Sequence, residues 1–287
     1  MSESPAMTDT PESRPQNRDL LRRMMQQPEE QISLAAAALV IAASEYPDLD
    51  AAKYLDRLDW MAGNVAERIT SDMDPLEIVA RINQYLFEEE GFFGNSEDYY
   101  DPRNSFLNEV LDRKTGIPIT LSTVYLEIAA RLKLPLVGVG LPGHFLVKHP
   151  YFDILIDPFS KGRILSEQDC REQMKQLLGE SVPFHRSYLG GVSKRHIIAR
   201  MLNNLRSIYV NARQFQKALN VTDMALAIQP DSALDWKQRA ALLIHLRRQG
   251  EAIVALNRCL ELEPEDEDAK DIQKVITDLR KSLAQMN

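Results

Sequence analysis

The sequence predicts an α+β domain, rich in helices and carrying a small antiparallel sheet, followed by an all-α module of short repeats. Three observations lead to this fold class. From Gln31 to Leu132, apolar residues recur every three or four positions, as on the buried face of a helix. The runs HFLVKH and FDILID then have the composition of paired strands. Beyond Lys194, small residues and prolines recur with a period of 34 residues.

Composition and charge exclude several classes of protein. The chain has 287 residues, of which 44% are hydrophobic and 26% charged, values typical of a soluble globular protein. Its formal net charge of −8 repels phosphate backbones and anionic membranes, so nucleic acid is not an expected partner. The longest apolar run, Leu34 to Ala43, is too short to span a bilayer, and membrane insertion is not expected.

Cysteine usage and the N-terminus predict a cytoplasmic protein. The two cysteines, Cys170 and Cys259, lie far apart, which argues against a disulfide framework and fits a reducing compartment. The N-terminal residues have no apolar segment after a basic start, so no secretory signal is expected. Residues 1–30 are polar and contain Pro and Ser, and we expect them to form a flexible tail.

Residues 31–190 are predicted to form the first domain, which begins with three helices. Asp50 is the expected N-cap of the second helix, and Asp74-Pro75 begins the third. The loop that follows, residues 91–104, carries the aromatic residues Phe92, Phe93, Tyr99 and Tyr100. Two interpretations stay open for this loop: the aromatic rings clamp it onto the core, or they form the wall of a cleft.

Two further helices and a strand follow the loop. Asn104 or Ser105 caps the first helix, which ends near Gly116. Pro118 suits the first turn of the second, longer helix, because proline there loses no hydrogen bond. The Val-, Leu- and Gly-rich stretch between Lys133 and Pro142 is typical of a buried strand.

The predicted hairpin brings a histidine and an aspartate together. If its two strands join directly at Pro150-Tyr151, His144 lies opposite Asp157 and His149 lies opposite Phe152. Opposed residues of antiparallel strands have Cβ atoms about 4.5–5.5 Å apart, which is close enough for a carboxylate to hold an imidazole. The sequence therefore predicts a pair between His144 and Asp157.

The C-terminal part changes to a repeat pattern. Ser166 is the expected cap of a helix, and residues 181–192 are predicted to be a linker. From residue 191 to 287, the pattern is typical of two tetratricopeptide units and a capping helix from Asp266 to about Leu283. The residues that recur are Ala218, Ala225 and Pro230, followed by Ala252, Cys259 and Pro264, with Trp236 at the usual tryptophan position and Arg206 and Thr222 as departures. Because an independent solenoid needs about three repeats, this module is expected to lean on the first domain.

Several stretches together resemble the SirB-like family. They are GFFGN, DYYDPRNSFLNEVL, GIPITLSTVYLEIAARL, GLPGHFLVKH and IDPF, and they are followed by the repeats. The resemblance implies a transglutaminase-like core, related to the papain-type fold, that precedes tetratricopeptide repeats. It also implies that His144 matches the general base, Asp157 the carboxylate that orients it, and Pro118 the position where active relatives of this fold carry a nucleophilic cysteine.

The absence of that cysteine decides the expected chemistry. In active enzymes of this type, the helix N-terminus lowers the pKa of the thiol, and the histidine accepts its proton. Pro118 has no nucleophilic group, Cys170 follows the aspartate in the chain, and Cys259 occupies a packing position of a repeat. The hydroxyls of Thr120 and Ser122 are alternatives, although such side chains more often bond to the backbone of their own helix.

Metal and cofactor sites are not predicted. His144 and His149 are separated by an odd number of positions, so on a strand they point to opposite faces and do not chelate one ion. The acidic stretch 261–268 lacks the spaced ligands and the central glycine of a calcium loop.

The leading functional hypothesis is a non-catalytic module whose cleft and repeat surface bind a protein or peptide. One alternative is a hydrolase or acyltransferase that combines His144 and Asp157 with Ser122, Thr120 or a nucleophile on the substrate. Another is a structural scaffold in which the pair stabilises the hairpin. The oligomeric state does not follow from the sequence. The predicted cleft residues are Tyr99, Tyr100, Asn104, Gly116, His144 and Asp157.

Overall fold

In the computed structural model, which describes residues 13–265 and 267–286, five helices precede a central helix. The five are α1 (Ser13–Met25), α2 (Leu34–Ala43), α3 (Ala51–Ala66), α4 (Pro75–Asn83) and α5 (Leu107–Arg113). A π-helical turn, Gln84–Glu89, continues α4. Two predicted caps are present in this part of the chain: Asp50 accepts hydrogen bonds from the first N–H groups of α3, and Asp74 forms a capping box with Glu77 at α4. The predicted cap of α5 by Asn104 or Ser105 is wrong, because both residues lie in a short 3-10 helix and α5 begins after Phe106, which makes no side-chain cap hydrogen bond.

The central helix α6 (Pro118–Arg131) is buried on all sides. Every side chain from Pro118 to Ala129 is buried. The carboxylate of Glu127 accepts a hydrogen bond from Ala35 N–H at 2.8 Å, which satisfies an orphan donor at the start of α2, and another from Arg131 at 2.5 Å. Because a buried carboxylate is costly unless it is paired, these contacts fix α6 against α2.

The strands form one antiparallel sheet and one small parallel pair. The parallel pair joins β1 (Phe93–Gly94) and β2 (Thr115–Gly116). The sheet has the order β6-β5-β4-β3-β7. Its members are β3 (Val137–Val139), β4 (Leu146–Lys148), β5 (Leu155–Asp157), β6 (Arg163–Leu165) and β7 (Gly191–Val192).

The predicted register of the hairpin is wrong by two residues. Val147 pairs with Ile156 and Lys148 with Leu155, and His149 N–H donates to Ile154 O at 3.1 Å. Residues 150–153 form the turn. The predicted turn had only residues 150 and 151, so the two additional turn residues, 152 and 153, come from the predicted second strand. Because side chains alternate with a period of two, this shift keeps every side chain on its predicted face.

The segment expected to be a linker contributes to the sheet. Helix α7 (Glu167–Leu178) is capped by Ser166, as predicted. Within residues 181–192, however, a short helix, Arg186–Leu189, is followed by β7, which pairs with β3. A bare linker was therefore the wrong prediction here. Gly191 permits the pairing, since a Cβ at this position would lie 2.9 Å from the Val137 side chain.

Five helices form the repeat module within the described residues. The first unit comprises α8 (Lys194–Asn211) and α9 (Phe215–Ile228), the second α10 (Ala233–His245) and α11 (Gln249–Leu262), and α12 (Ala269–Met286) follows. The departures from the repeat pattern have physical reasons. Arg206 forms an ion pair with Asp235 of the next unit, and the Thr222 hydroxyl donates to Ala218 O at 2.8 Å.

The flexible tail predicted for residues 1–30 is wrong where the structure describes it, and residues 1–12 lie outside the described residues. Leu21 is fully buried and Met25 is 4% exposed, because their spacing of four residues puts both on the face of α1 that packs against α9 and α2. Arg195 of α8 also donates to Met25 O at 2.7 Å. The sequence prediction missed α1 because its few apolar residues follow a long polar stretch.

The larger of two hydrophobic clusters in the described residues extends from Leu21 in α1 to Ile276 in α12, and the smaller lies between the sheet and α7. The domain boundary near residue 190 stays a prediction, because α8 packs against α2 and α6 of the first part as well as against α9. Within residues 13–265 and 267–286, no helix is both long and apolar enough to cross a membrane.

Docking of α1 is testable by a matched pair of substitutions. Leu21→Ala removes a fully buried side chain, so we expect the free energy of unfolding to fall by about 2–5 kcal/mol in chemical denaturation. Leu20→Ala, at a neighbouring side chain that is 40% exposed, should change it by about 0.5 kcal/mol. Equal, small effects of both substitutions would show that α1 does not pack on the repeats.

Candidate functional site

The hairpin joins His144 and Asp157 by a buried hydrogen bond. The Nε2 atom of His144 lies 2.9 Å from Oδ1 of Asp157, and the two side chains are 5% and 1% exposed. The observed register places Asp157 opposite Leu146, so the two residues meet diagonally instead of directly. The predicted contact therefore forms in a different register, because a shift of two positions leaves both residues on one face.

Asp157 is held by a network of donors. Its Oδ1 accepts from Phe159 N–H at 3.1 Å and Ser160 N–H at 3.3 Å, and its Oδ2 accepts from the Ser160 hydroxyl at 2.8 Å and Gln173 Nε2 at 3.4 Å. Burial raises the pKa of Asp157, but the contact with His144 and these hydrogen bonds outweigh burial, and the net pKa lies below its usual value. The ionised carboxylate therefore accepts a hydrogen bond from Nε2, and in the neutral form of the imidazole this tautomer has Nδ1 as an acceptor.

The start of α6 and His144 face a common cavity of about 240 Å³. The residues that line it are Tyr99, Pro118, Ile119, Gly143, His144, Phe145, Arg200 and Asn204. Pro118 is the first residue of α6, and it has neither a side-chain nucleophile nor a backbone N–H. The start of α6 thus faces a histidine that an aspartate orients, and the residue at that helix start is proline.

The hydroxyl groups of Thr120 and Ser122, the alternative nucleophiles, contact backbone groups. The Thr120 hydroxyl lies 2.7 Å from Asn104 O, to which it donates, and it accepts from Ile117 N–H at 3.1 Å. The Ser122 hydroxyl lies 3.5 Å from Phe145 O. Both side chains are fully buried and neither lines the cavity.

The two cysteines lie away from the cavity. Cys170 is fully buried on α7, where burial, followed by the negative charges of Asp169 and Asp157, raises its pKa to about 11. Such a thiol stays protonated at neutral pH and is a poor nucleophile. Cys259 is buried in α11.

Of the predicted cleft residues, Tyr99 and His144 line the cavity and Asp157 lies behind the histidine. The structure corrects the other three. Tyr100 is 70% exposed, Asn104 is fully buried and donates to Asp98 O at 2.7 Å, and a Cβ on Gly116 would lie 2.7 Å from the Thr120 hydroxyl. Asn104 and Gly116 are buried, and they connect the aromatic loop to the first turn of α6 instead of lining the cavity.

Both interpretations of the aromatic loop therefore apply, to different residues. Phe92 is 1% exposed and anchors the loop in the core. Tyr99 lines the cavity and packs edge to face on Phe159, with ring centroids 6.2 Å apart.

Sequence reasoning missed Arg200 and Asn204, which reach the cavity from α8. The Arg200 guanidinium donates from Nη2 to Leu141 O at 2.9 Å and to His144 O at 2.6 Å, and it lies over the Phe145 ring. One signal was present in the sequence. Arg200 follows the buried Ile197 by three residues, so a basic side chain interrupts the apolar face of α8.

Among the residues described, no three His, Cys, Asp or Glu side chains lie close enough together to hold a metal ion. The polar groups that face the cavity are instead hydrogen-bonding groups on Tyr99, His144, Arg200 and Asn204.

The fold and the site define a transglutaminase-like domain followed by repeats, and comparisons with known proteins agree. The sequence model of the transglutaminase-like superfamily matches residues 52–203, which is more than half of the chain, and a tetratricopeptide-repeat model matches residues 205–277. The chain belongs to the SirB-like family of UPF0162 proteins within this superfamily.

Two bacterial relatives and one mammalian relative illustrate the similarity. A UPF0162 protein of Xylella fastidiosa (strain 9a5c) is 36% identical over 260 residues, covering 88% of this chain and 91% of the relative. A UPF0162 protein of Pseudomonas aeruginosa is 34% identical over 213 residues, covering 73% and 77%. F-box only protein 21 of Mus musculus is 33% identical over 183 residues, covering 59% of this chain but 28% of that protein.

The lowered pKa of Asp157 predicts a pH-dependent contribution to stability. The ionised carboxylate stabilises the fold above its unfolded pKa of about 4, and this stabilisation is lost as the pH falls through the lower folded value. We expect Asp157→Asn to lower the free energy of unfolding by about 1.5–3 kcal/mol at pH 7, with a smaller difference from wild type at pH 3. Denaturant titrations at both pH values measure this. Asp153→Asn, at an exposed position of the same hairpin, should have an effect of about 0.5 kcal/mol, and a pH-independent effect of Asp157→Asn would contradict the assignment.

Restoring a thiol tests whether His144 faces the start of α6. The thiol of Pro118→Cys should react with iodoacetamide at pH 7 at least about tenfold faster than that of Pro75→Cys, which also replaces a proline at the first position of a helix, α4. Wild type supplies the background from the two buried cysteines. The advantage should vanish when His144→Ala is added. If the rate is the same with and without His144, the imidazole does not reach the helix start.

Proposed function

We propose that this protein is a non-catalytic module that binds a protein or peptide through a degenerate transglutaminase-like cleft and the repeat surface. The observation that carries the proposal is the position of Pro118 beside an intact His144 and Asp157 pair. His144 lines the cavity as a base, and no Cys, Ser or Thr is among the described residues that line it. Without a protein nucleophile, the covalent step of such an enzyme has no attacking atom.

The side chains in and near the cavity support a binding function. Thr120 and Ser122 direct their hydroxyls to backbone carbonyls, and burial keeps the Cys170 thiol protonated. Tyr99, Arg200 and Asn204 supply polar groups at the cavity instead. A few polar groups in a concave site are the usual means of orienting a ligand.

A second concave surface lies on the repeats. A groove of about 710 Å³ is lined by residues of α1, α9, α10 and α11. It combines apolar side chains, including Leu226, Trp236 and Val254, with charges of both signs, including Arg18 and Glu251. Tetratricopeptide repeats commonly bind peptides on such surfaces, so we assign the groove to the same protein-binding function. We expect the protein to act in the cytoplasm.

One observation favours a second candidate, a hydrolase or acyltransferase. The histidine and aspartate retain the geometry of a base and its orienting group, with 2.9 Å between Nε2 and Oδ1. A water molecule or a hydroxyl on the substrate is the nucleophile that such a site could still activate. A purely structural role of the pair is the third alternative, and it predicts that no ligand depends on His144.

Cross-linking from two adjacent tyrosines tests binding in the cleft. The photoreactive residue p-benzoylphenylalanine is introduced at position 99, which lines the cavity, or at position 100, which is 70% exposed and does not. After irradiation in extract from the native cells, we expect a defined cross-linked protein or peptide from position 99 that is absent from position 100 and from a variant that also carries His144→Ala. Equal products from the two positions would contradict a ligand in this cleft.

Activity assays on the same preparations separate the first two candidates. Wild type and His144→Ala are incubated with p-nitrophenyl acetate and with a pool of N-acetyl peptide amides. We expect the same slow release of product from both proteins. Turnover by wild type that His144→Ala abolishes would overturn the non-catalytic proposal in favour of the enzyme.

A further inference from the structure

The cavity next to His144 contains an arginine without a carboxylate partner. Although the chain has 42 Asp and Glu residues against 34 Lys and Arg, no carboxylate among the described residues forms an ion pair with Arg200. Other arginines of the structure do pair, including Arg206 with Asp235 and Arg131 with Glu127. An arginine that faces a cavity without a counter-charge is a ready partner for an anionic ligand.

The hydrogen bonds of Arg200 leave part of its guanidinium available. The group has five N–H donors, and the two carbonyl bonds are made by Nη2. Among the described residues, no atom accepts a hydrogen bond from Nε or Nη1, so three N–H groups of Arg200 have no described acceptor. The two carbonyl bonds and the Phe145 ring fix the plane of the group, which reduces the entropy lost when a carboxylate binds.

The surroundings of Arg200 strengthen its attraction for an anion. Burial lowers its pKa, but an arginine remains charged at neutral pH, and its charge is less screened than on the surface. A Cβ on Gly140 would lie 3.2 Å from Nη1, so glycine leaves room beside this nitrogen. The positive end of the α6 dipole, at Pro118, lies on the same cavity.

Arg200 requires a hydrogen-bond acceptor on the ligand, whereas His144 requires a donor. Its Nε2 is bonded to Asp157, and no described donor reaches its Nδ1, which is an acceptor in the neutral ring. A ligand that satisfies both residues therefore carries a carboxylate for Arg200 and an N–H group for His144. The carboxyl-terminal residue of a peptide has both groups within one residue, in its carboxylate and its amide N–H.

The size of the cavity agrees with a chain end. Its volume of about 240 Å³ is below the roughly 300–1,000 Å³ of pockets that enclose whole small molecules. Tyr99 and Asn204, whose side chains carry a hydroxyl and an amide, also line the cavity. Burial raises the pKa of Tyr99, so its hydroxyl keeps its proton and remains a donor.

We propose that this cavity captures the carboxyl terminus of a peptide chain, with the terminal carboxylate on the Arg200 guanidinium and the last amide N–H on Nδ1 of His144. The inference rests on the proposed binding function and assigns the ligand chemistry to it. It also explains the retained pair with Asp157, because the carboxylate holds the imidazole in the tautomer that accepts a hydrogen bond.

The test uses the full-length protein and three matched pools of N-acetyl tetrapeptides. The first pool ends in a free carboxylate, the second ends in an amide and has no acidic side chain, and the third ends in an amide but has an internal Asp or Glu. Peptides retained by the protein in equilibrium dialysis are quantified by mass spectrometry. We expect the free acids to be enriched about tenfold or more over both amide pools.

Variants connect the selectivity to Arg200. Arg200→Gln should abolish the preference for free acids, whereas Arg280→Gln, which removes the same charge from an exposed position of α12, should retain it. Because Arg200→Gln also loses two bonds to backbone carbonyls, Gly140→Ala serves as a second variant. Its methyl group crowds Nη1 and should reduce the preference while the thermal midpoint stays near that of wild type.

The possible outcomes separate this inference from the function on which it rests. Equal retention of acid and amide pools, together with the position-99 cross-link, would overturn carboxylate capture and leave the binding function standing. Enrichment of the third pool to the level of the first would assign the site to an acidic side chain and overturn the chain-end proposal. Absence of both peptide retention and the cross-link would overturn both proposals.

Discussion

The burial of α6 on all sides is the constraint on which the rest of the structure depends. A helix without a solvent-facing side must satisfy every polar side chain from within the protein. Thr120 bonds to the loop before α5, Thr123 back-bonds to Ile119 O at 2.8 Å, and Glu127 caps α2. The helices, the sheet and the first repeat helix are therefore positioned relative to one element. Its first turn, at Pro118, forms part of the wall of the cavity.

Burial also sets the requirements of the pair formed by His144 and Asp157. Asp157, at 1% exposure, would be costly to bury without donors, and four donors besides His144 surround it. Such a network stabilises itself, so it persists whether or not a nucleophile stands opposite. A thiol at the start of α6 has no comparable structural role, since proline suits the first turn of a helix. The stability of the pair therefore does not depend on which residue occupies the start of α6.

The sequence predicted what depends on local pattern and missed what depends on distant contacts. The helices from α2 to α6 and the repeats follow from apolar periodicity and caps, and the contact of His144 with Asp157 follows from the alternation of strand side chains. The hairpin register was wrong because the residues of the turn, 150–153, decide it, and a Pro-Tyr sequence does not select one turn. Strand β7 and helix α1 acquire their order from tertiary packing. Arg200 was missed because its contact with His144 spans 56 positions in the chain.

Helix α8 makes the two parts of the chain inseparable at the cavity. The superfamily model ends at residue 203 and the repeat model begins at residue 205, so the boundary between them falls within α8. Arg200 lies before this boundary and Asn204, one turn later, lies after it, yet both line the cavity together with His144. The cavity exists only while the first repeat helix is packed on the transglutaminase-like part. A ligand held by Arg200 would therefore stabilise that packing by mass action, because the first repeat helix completes the cavity.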